Sequence, residues 1–219
     1  MALKDNLTSY WSLQGNSNDS AGTQNGTDTS ISYSTSYGKI DQGASFNGST
    51  SLISKTSTNL PSGSSARTVS LWIYRTGTEG TVFFYGTAVA GGMIAINLNA
   101  TGLNCFGNTG TYDITTTTTI SSSTWYHIVF TNDGTTSRLY KNASETGNKA
   151  ITYSTTASSE LQMGNGTPWA STPWTGYIDE VGVWTRALSG SEITELYNSG
   201  SGKSYADIIG SNSNFFALM

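Results

Sequence analysis

The sequence predicts an all-β fold of many short strands, and three observations carry that prediction. Turn signals recur roughly every 8–12 residues along most of the chain. Between them lie short runs rich in apolar, β-branched and aromatic residues, such as "RTVSLWIY" and "WYHIVFTN". Charged residues are only 11% of the 219, and 25 glycines with many Ser, Thr and Asn fill the connecting segments. Such a polar chain can be disordered, but 6 Trp, 12 Tyr and 7 Phe supply apolar surface that disordered chains lack. The length is compatible with two small domains or with one large all-β domain.

Taken in order, a first strand is expected at 10–13, followed by the turn-rich "NSNDSAGTQNGT". In "GASFNGSTSLIS", Asn47-Gly48 separates Phe46 from Leu52 and Ile53, which reads as a hairpin or as a strand with a tight turn. In "RTVSLWIYRT", Val69, Leu71 and Ile73 share one face while Ser70, Trp72 and Tyr74 share the other. Both faces look buried, as in a sheet covered on both sides. Strands are then expected in "TVFFYG", "GMIAINLN", "LNCFGN", "YDITT", "WYHIVFTND" and "SRLYKNA". Asn132-Asp133-Gly134 forms the hairpin turn between the last two. "KAITYS", "ELQMGNG" and "GYIDEVGVWTRAL" complete the series. One short helix is predicted in "SGSEITELYNSG": Ser189 and Glu192 make a capping-box pattern, Ile193, Leu196 and Tyr197 share a face, and Gly200 stops it.

Composition also excludes partners. The net charge is −4 and no basic run occurs, which argues against nucleic acid. No apolar run approaches the roughly 20 residues of a membrane span. The N-terminal "MALKDNLTSYW" has no signal-peptide core, so the chain reads as made in the cytoplasm without a standard export signal. The lone cysteine, Cys105, reads as a small core residue, and the lone histidine, His127, as a hydrogen-bonded strand residue.

Five segments, in order, resemble the laminin-G-like, concanavalin A-like jelly-roll superfamily, nearest to its bacterial and phage branch related to pentraxins. They are "YWSLQGNSNDSAGTQNGT", "GASFNGSTSLIS", "RTVSLWIY", "WYHIVFTNDGTTSRLYKNASETG" and "GYIDEVGVWTRALSGSEITELYNSG", together spanning about 7–201. The fold implied is a two-sheet antiparallel jelly-roll sandwich with one short C-terminal helix. A domain at 1–202 is then followed by a tail, 203–219, whose Phe215, Phe216, Ala217, Leu218 and Met219 read either as folding back onto the body or as a docking or oligomer contact. One departure concerns Asn142-Ala143, where the resembled family has Asn-Gly. Alanine disfavours positive φ, so a different turn type is expected there.

Asp179 and Glu180 are adjacent, and on a regular strand adjacent side chains leave by opposite faces. They do not make the facing carboxylate pair that glycoside hydrolysis requires. No Glu-x-Asp-x-Glu run occurs elsewhere, and with a single histidine no Ser/His/Asp triad is easily built. The chain therefore reads as non-enzymatic. The opening loop offers Asn16, Asn18, Asp19, Gly22 and Asn25, a set of oxygen donors suited to a hard cation. The resemblance implies a structural calcium, with Asp19 and Asp179 as carboxylate ligands and backbone carbonyls around Gly22 and Asn25. The plainer reading makes Asn18-Asp19-Ser20 an Asx turn, has Asp179 bond a neighbouring loop, and pairs Glu180 with Arg186.

"GNGTPWASTPWTG" repeats Thr-Pro-Trp at Trp169 and Trp174, and proline stiffens such a loop. Aromatic rings bind sugar faces when amides and hydroxyls lie nearby, so Trp169, Trp174, Asn165, Thr167 and Tyr112 form a candidate glycan site. Trp174 precedes a motif before which the resembled family often has a buried aromatic, so it also reads as core. The expected function is a virion structural or adhesion protein: a tail fibre, receptor-binding or head-decoration protein. Its expected partners are a cell-surface glycan or polysaccharide, other virion proteins and further copies of itself. The alternative is a carbohydrate-binding module from a larger secreted or cell-surface bacterial protein, and a glycan-active enzyme stands third.

Overall fold

Apolar residues at every second position lead most of the strands to bury one face, and here they do so in two antiparallel sheets packed against each other. The computed structural model describes residues 1–56, 59–77, 79–156, 159–167 and 169–210. Its strands are β1 Leu7–Trp11, β2 Thr27–Thr29, β3 Ser32–Ser34, β4 Gly43–Asn47, β5 Leu52–Thr56, β6 Arg67–Arg75 and β7 Thr81–Gly86. The series continues with β8 Met93–Asn99, β9 Gly102–Phe106, β10 Trp125–Asn132, β11 Thr136–Lys141, β12 Ser144–Ala150, β13 Glu160–Met163 and β14 Thr175–Trp184. Two helices follow, α1 Gly190–Tyr197 and α2 Tyr205–Ile209. The first sheet runs β12-β11-β10-β6-β14-β4-β3, with β1 also paired to β14. The second runs β2-β5-β13-β7-β8-β9. This is the jelly-roll sandwich the sequence predicts.

Between the sheets, Val69, Leu71 and Ile73 of β6 and Ile128 and Phe130 of β10 share a core with Val82, Tyr85, Ile94 and Ile96 of the second sheet. Cys105 is in the same core, and burial pushes its thiol above the ordinary range, so it is an apolar filler. The outer face of the first sheet is covered too. Tyr10, Val129 and Trp184 lie under Ile193 and Leu196 of α1 and Ile208 of α2. Both faces of the first sheet's centre are therefore dry, as the apolar character of both faces of β6 requires.

Strand β14 is the hub. It pairs with β6 along one edge. Along the other, its first half (Thr175–Ile178) pairs with β4 and its second half (from Val181 to Trp184) with β1. The exchange of partner falls at Asp179 and Glu180, where the β6 register also slips. Glu180 takes a left-handed φ of 49° there, a β-bulge geometry.

Several local expectations are corrected. The first strand starts at Leu7. Asn47-Gly48 is not a hairpin: β4 and β5 belong to different sheets, and Asn47 Oδ1 accepts from the backbone N–H of Ser49, Thr50 and Ser51 to turn the chain between them. "YDITT" forms a single 3₁₀ turn and one bridge at Ile114, and the strand expected in "KAITYS" lies earlier, as β12. Asn142 and Ala143 both take positive φ, 50° and 64°, the signature of a type I′ hairpin. The turn type is thus kept despite alanine, because strand twist demands it and Asn142 is bonded to His127 through both its backbone and its side chain. α1 has the predicted capping box but ends at Asn198 in the left-handed region, two residues before Gly200. A second capping box, Ser204 with Asp207, opens α2, so the packed body continues past residue 202 to the end of the described chain at 210. The apolar end of the tail, 215–219, lies outside the described residues. No helix of the described residues is long and apolar enough to cross a membrane.

Arg67, at the start of β6, is fully buried. Its guanidinium donates to Tyr85 Oη at 2.9 Å, Thr155 Oγ1 at 2.6 Å, and the carbonyls of Ser65 at 2.8 Å and Gly63 at 2.7 Å. The planar fork thus ties β6 to β7 and to two loops, a geometry an ammonium does not reproduce. Arg67→Lys is expected to lower unfolding free energy by about 2 kcal/mol in a denaturant titration, since several buried acceptors lose their donor. A loss within error would show that the fork is dispensable.

Candidate functional site

The outer face of the second sheet is built from amides and aromatics. Alternation in β8 sends Ile94, Ile96 and Leu98 into the core, which leaves Asn97 and Asn99 on the opposite face. Beside them, Phe84, Met93 and Ala95 form a small separate apolar cluster, with Phe106 of β9 packed against it. The loop between β13 and β14 folds over this face. Asn165 Oδ1 accepts from the N–H of Gly166 at 2.8 Å and of Thr172 at 3.0 Å, and the N–H of Trp169 donates to Gly166 O at 2.9 Å. The closed loop lays the half-buried Trp169 on Phe106, with ring centroids 5.1 Å apart.

A cleft of about 580 Å³ opens between Trp169, Phe106 and the segment that follows β6. Its walls include Arg75, Glu79, Asn97, Asn99 and Thr172. Arg75 Nη1 and Glu79 Oε1 form an ion pair at 2.8 Å. Arg75 Nε is buried and has no hydrogen-bond partner among the described residues. Asn97 Nδ2 donates to Thr81 Oγ1 at 3.0 Å, and that hydroxyl is 2.6 Å from Thr172 Oγ1. Asn99 Oδ1 accepts from Thr101 and Asn104, which holds the β8–β9 turn. Concave, mixed walls with a few fixed polar groups are the ordinary make-up of a small-ligand site.

Of the five glycan-site residues expected from sequence, only Trp169 lines this cleft. Trp174 is fully buried in the main core, as its alternative reading had it, and offers no surface to a ligand. Asn165 spends its carboxamide oxygen closing the loop. Thr167 bonds Gln162 through both its N–H and its hydroxyl. Tyr112 packs its ring over the backbone of Gly91, where a Cβ would lie 2.7 Å from it. Sequence reasoning missed Arg75, Glu79, Asn97, Asn99 and Phe106. A signal existed for the two asparagines, whose period-2 spacing against Ile94, Ile96 and Leu98 puts them on one outer face.

The paired carboxylates serve the fold. Asp179 is fully buried and accepts from the N–H of Lys39 at 2.8 Å, Ile40 at 2.9 Å and Glu180 at 2.9 Å. Glu180 accepts a hydrogen bond from the Tyr10 hydroxyl. It does not pair with Arg186, which bonds Glu192 at 2.8 Å instead. The alternation argument for opposite faces also fails here, because the bulge breaks the pleat. Burial pushes the Asp179 carboxyl up to about 8 against its three N–H donors. Burial, and then the Asp179 charge, push Glu180 up to about 9. His127 is buried, with Nε2 2.8 Å from Ser70 Oγ, and burial lowers it to about 3, so it stays neutral.

The residues expected to hold calcium do not fit it. Asp19 accepts four backbone N–H groups, from Tyr10 at 2.8 Å, Ala21 at 3.1 Å, Gly22 at 2.9 Å and Gln24 at 3.0 Å. Asn25 Oδ1 accepts from the N–H of Asp19 itself. Asp179 is surrounded by N–H donors in the same way, and it shares no hydrogen-bond partner with Asp19. N–H donors already stand, positive ends first, at the oxygens of both carboxyl groups, where a cation cage would place the ion. No group of three or more His, Cys, Asp or Glu among the described residues is arranged to hold a metal.

Two facing antiparallel sheets, helices over one outer face and a ring-and-amide cleft on the other define a lectin-like sandwich. The chain belongs to the Concanavalin A-like lectin/glucanases superfamily, through its Laminin_G_3 family, whose model matches residues 46–194. No curated protein matches it in sequence. Among solved structures it is similar to domain 4 of AbnA, a GH43 extracellular arabinanase from Geobacillus stearothermophilus, in complex with arabinotriose. That likeness has TM-score 0.72 and 25% identity and covers 86% of this chain and 97% of that one. It is also similar to the binding domain of Paraclostridial Mosquitocidal Protein 1, with TM-score 0.70, 22% identity, and 90% and 53% of the two chains covered. A third likeness is to the Botulinum neurotoxin serotype D ligand binding domain in complex with N-acetylneuraminic acid, with TM-score 0.66, 14% identity, and 90% and 51% covered. The chain spans about half of those two toxin structures, and the likeness to them shows the fold alone.

Two outcomes follow from the acids. The melting temperature is expected to be the same in EDTA and in millimolar calcium; a rise with calcium would restore a metal site. Asp179 and Glu180 hold protons in the folded state that the unfolded chain releases near pH 4, so the native state binds more protons between about pH 4 and pH 9. Stability therefore falls as pH rises through that window. Asp133 and Glu192, both lowered to about 2, act below it. The melting temperature should drop from pH 6 to pH 9, and Glu180→Gln, which keeps an acceptor for Tyr10, should make the slope shallower while Asp179 keeps part of it; an unchanged slope would exclude Glu180 as a source.

Proposed function

We propose that this chain is a non-enzymatic carbohydrate-binding domain whose glycan site is the Trp169 cleft. The single observation that carries this reading is the combination in one cleft of a half-buried tryptophan, fixed on Phe106, with Asn97, Asn99, Arg75 and Glu79. An aromatic ring offers a face for the C–H side of a sugar, and amides with a charged pair offer donors and acceptors for its hydroxyls. The likeness to an arabinanase domain bound to arabinotriose supports the same reading.

The non-catalytic part of the reading rests on the carboxylates. Asp179 is committed to backbone donors and Glu180 to the Tyr10 hydroxyl; Glu180 also lines a separate pocket beside Asp41 and Tyr205, and neither acid lines any part of the Trp169 cleft. Of the two settings considered, the module of a larger secreted or cell-surface bacterial protein is favoured, since a single domain of an extracellular enzyme matches almost end to end. A place on a virion, with other virion proteins as partners, rests on composition, the character of the N-terminal segment and the fold, none of which names a partner.

A glycan array followed by calorimetry on the hits tests the proposal. Trp169→Ala is expected to weaken binding at least tenfold, about 1.4 kcal/mol, while the protein still melts cooperatively. Trp169→Phe should retain part of the affinity and carries the test if the alanine variant fails to fold. Unchanged affinity in both would move the site elsewhere, and silence across a broad array would sink the glycan reading.

A further inference from the structure

The Trp169 cleft does not end at the Arg75–Glu79 pair. A second cavity of about 160 Å³ adjoins it, walled by Thr119, Ile120, Ser121 and Gly102. The two cavities have Arg75, Glu79, Leu98 and Asn99 in common, so the ion pair stands at their junction. Resting on the glycan reading above, we propose that the junction is the specificity element, and that the ligand is a neutral oligosaccharide lying across it.

Three observations carry this. First, Arg75 and Glu79 are the only charged residues among the described ones that line either cavity, and at 2.8 Å they neutralise each other. An anionic sugar entering there meets a carboxylate with no surplus cation, on a protein whose net charge is already −4. Second, Arg75 Nε is buried without a partner among the described residues. Nε itself is closed to the cleft, so the donor a ligand oxygen reaches at the junction is Nη2 of the same guanidinium, whose contact with Ser122 Oγ is a long 3.5 Å. A sugar hydroxyl accepts from the guanidinium and donates to Glu79 with no change in charge, and two neighbouring hydroxyls match the fork of an arginine–carboxylate pair. Third, the walls differ on the two sides. Trp169 and Phe106 form the wide cavity, where one sugar ring stacks, while Thr119, Ile120 and Ser121 form the narrow one, where hydroxyl and aliphatic groups receive the next unit. A single sugar contacts one side of the junction and leaves the other to water, so affinity depends on chain length.

The test is calorimetric, on the intact chain, with the mono-, di- and trisaccharides of arabinose, xylose and glucose as probes and N-acetylneuraminic acid and trigalacturonic acid as acidic probes. For at least one neutral series, affinity is expected to rise at least tenfold from mono- to trisaccharide, and the acidic sugars are expected not to compete. Arg75→Lys should lose at least tenfold on the trisaccharide but little on the monosaccharide, whereas Trp169→Ala should weaken both. Glu79→Gln, which frees the arginine charge, should admit the acidic probes. Equal affinity for mono- and trisaccharide, or tightest binding to an acidic sugar by the unaltered chain, would overturn the junction proposal while leaving a Trp169 glycan site standing. Binding lost in Trp169→Ala but indifferent to both Arg75→Lys and Glu79→Gln would do the same. No binding to any probe or to an array would remove the glycan reading and this inference together.

Discussion

The bulge at Asp179 and Glu180 is the constraint on which the first sheet depends. A strand in the middle of a sheet has to satisfy its neighbours on both edges, and β14 does so with two different strands on one edge, β4 then β1. At the gap between them, backbone N–H groups lose strand partners, and a buried unpaired N–H is costly. Carboxylates fill that need. Asp179 receives the N–H groups of Lys39 and Ile40 in the approach to β4, and Asp19 receives those of Tyr10 in β1 and of the loop after it. Glu180, in a left-handed conformation that costs a non-glycine residue on the order of 1 kcal/mol, turns its carboxyl to the Tyr10 hydroxyl. Tyr10 in turn supports Tyr205 of α2, with ring centroids 5.3 Å apart. One partner exchange thus accounts for the acidic pair, the shape of the opening loop and the seat of the second helix.

That arrangement also decides where a ligand site is available. The helices seated on the first sheet close part of its outer face. The rest of that face carries a cross-strand row in which Trp125, Tyr74 and Tyr177 are register neighbours, with Tyr37 against Tyr177 at 4.8 Å. Their rings pack on one another, Tyr74 on Tyr177 at 5.2 Å and 19°, so much of their aromatic surface is spent within the row. Among the described residues, no α-helix packs over the second sheet. Its outer face is met by a loop rather than by an apolar element, and so it keeps amides and hydroxyls that a packed interface would exclude.

The fold was legible because its signals are local and repeated. The alternation in β6, β8 and β10, the Asn132-Asp133-Gly134 turn and the Ser189–Glu192 cap each follow from neighbouring residues alone. What was misread depended on long-range pairing. Nothing near Asn47 says that the chain leaves one sheet for the other after it, and nothing near Asp179 says that its neighbour strand changes there. Ala143 was misjudged because propensity is a weak prior, and the twist of β11 on β12 with the Asn142 bonds overrode it. The site was legible only at Trp169. Its other walls come from segments near 75–79, 97–99 and 106, which are far apart in sequence and meet only when two sheets and a loop close on one another. Trp174, with the same Thr-Pro context as Trp169, goes to the core because it lies at the entry to β14 and not at the tip of the loop.

The low charge of the chain then takes on a physical meaning. An unpaired charge in the cleft would bring a strong preference of one sign, whereas asparagine and threonine donate and accept at once. Where charge does enter the cleft, it enters as a pair, so donors and acceptors are strengthened without a net field. A face of this kind suits a ligand that is itself both donor and acceptor at every position and carries no charge. It gives little long-range attraction, so discrimination rests on fit over several contacts in succession and not on any single one. The two adjoining cavities, with one ion pair at their common wall and one tryptophan in the larger, are a surface on which such a succession is possible.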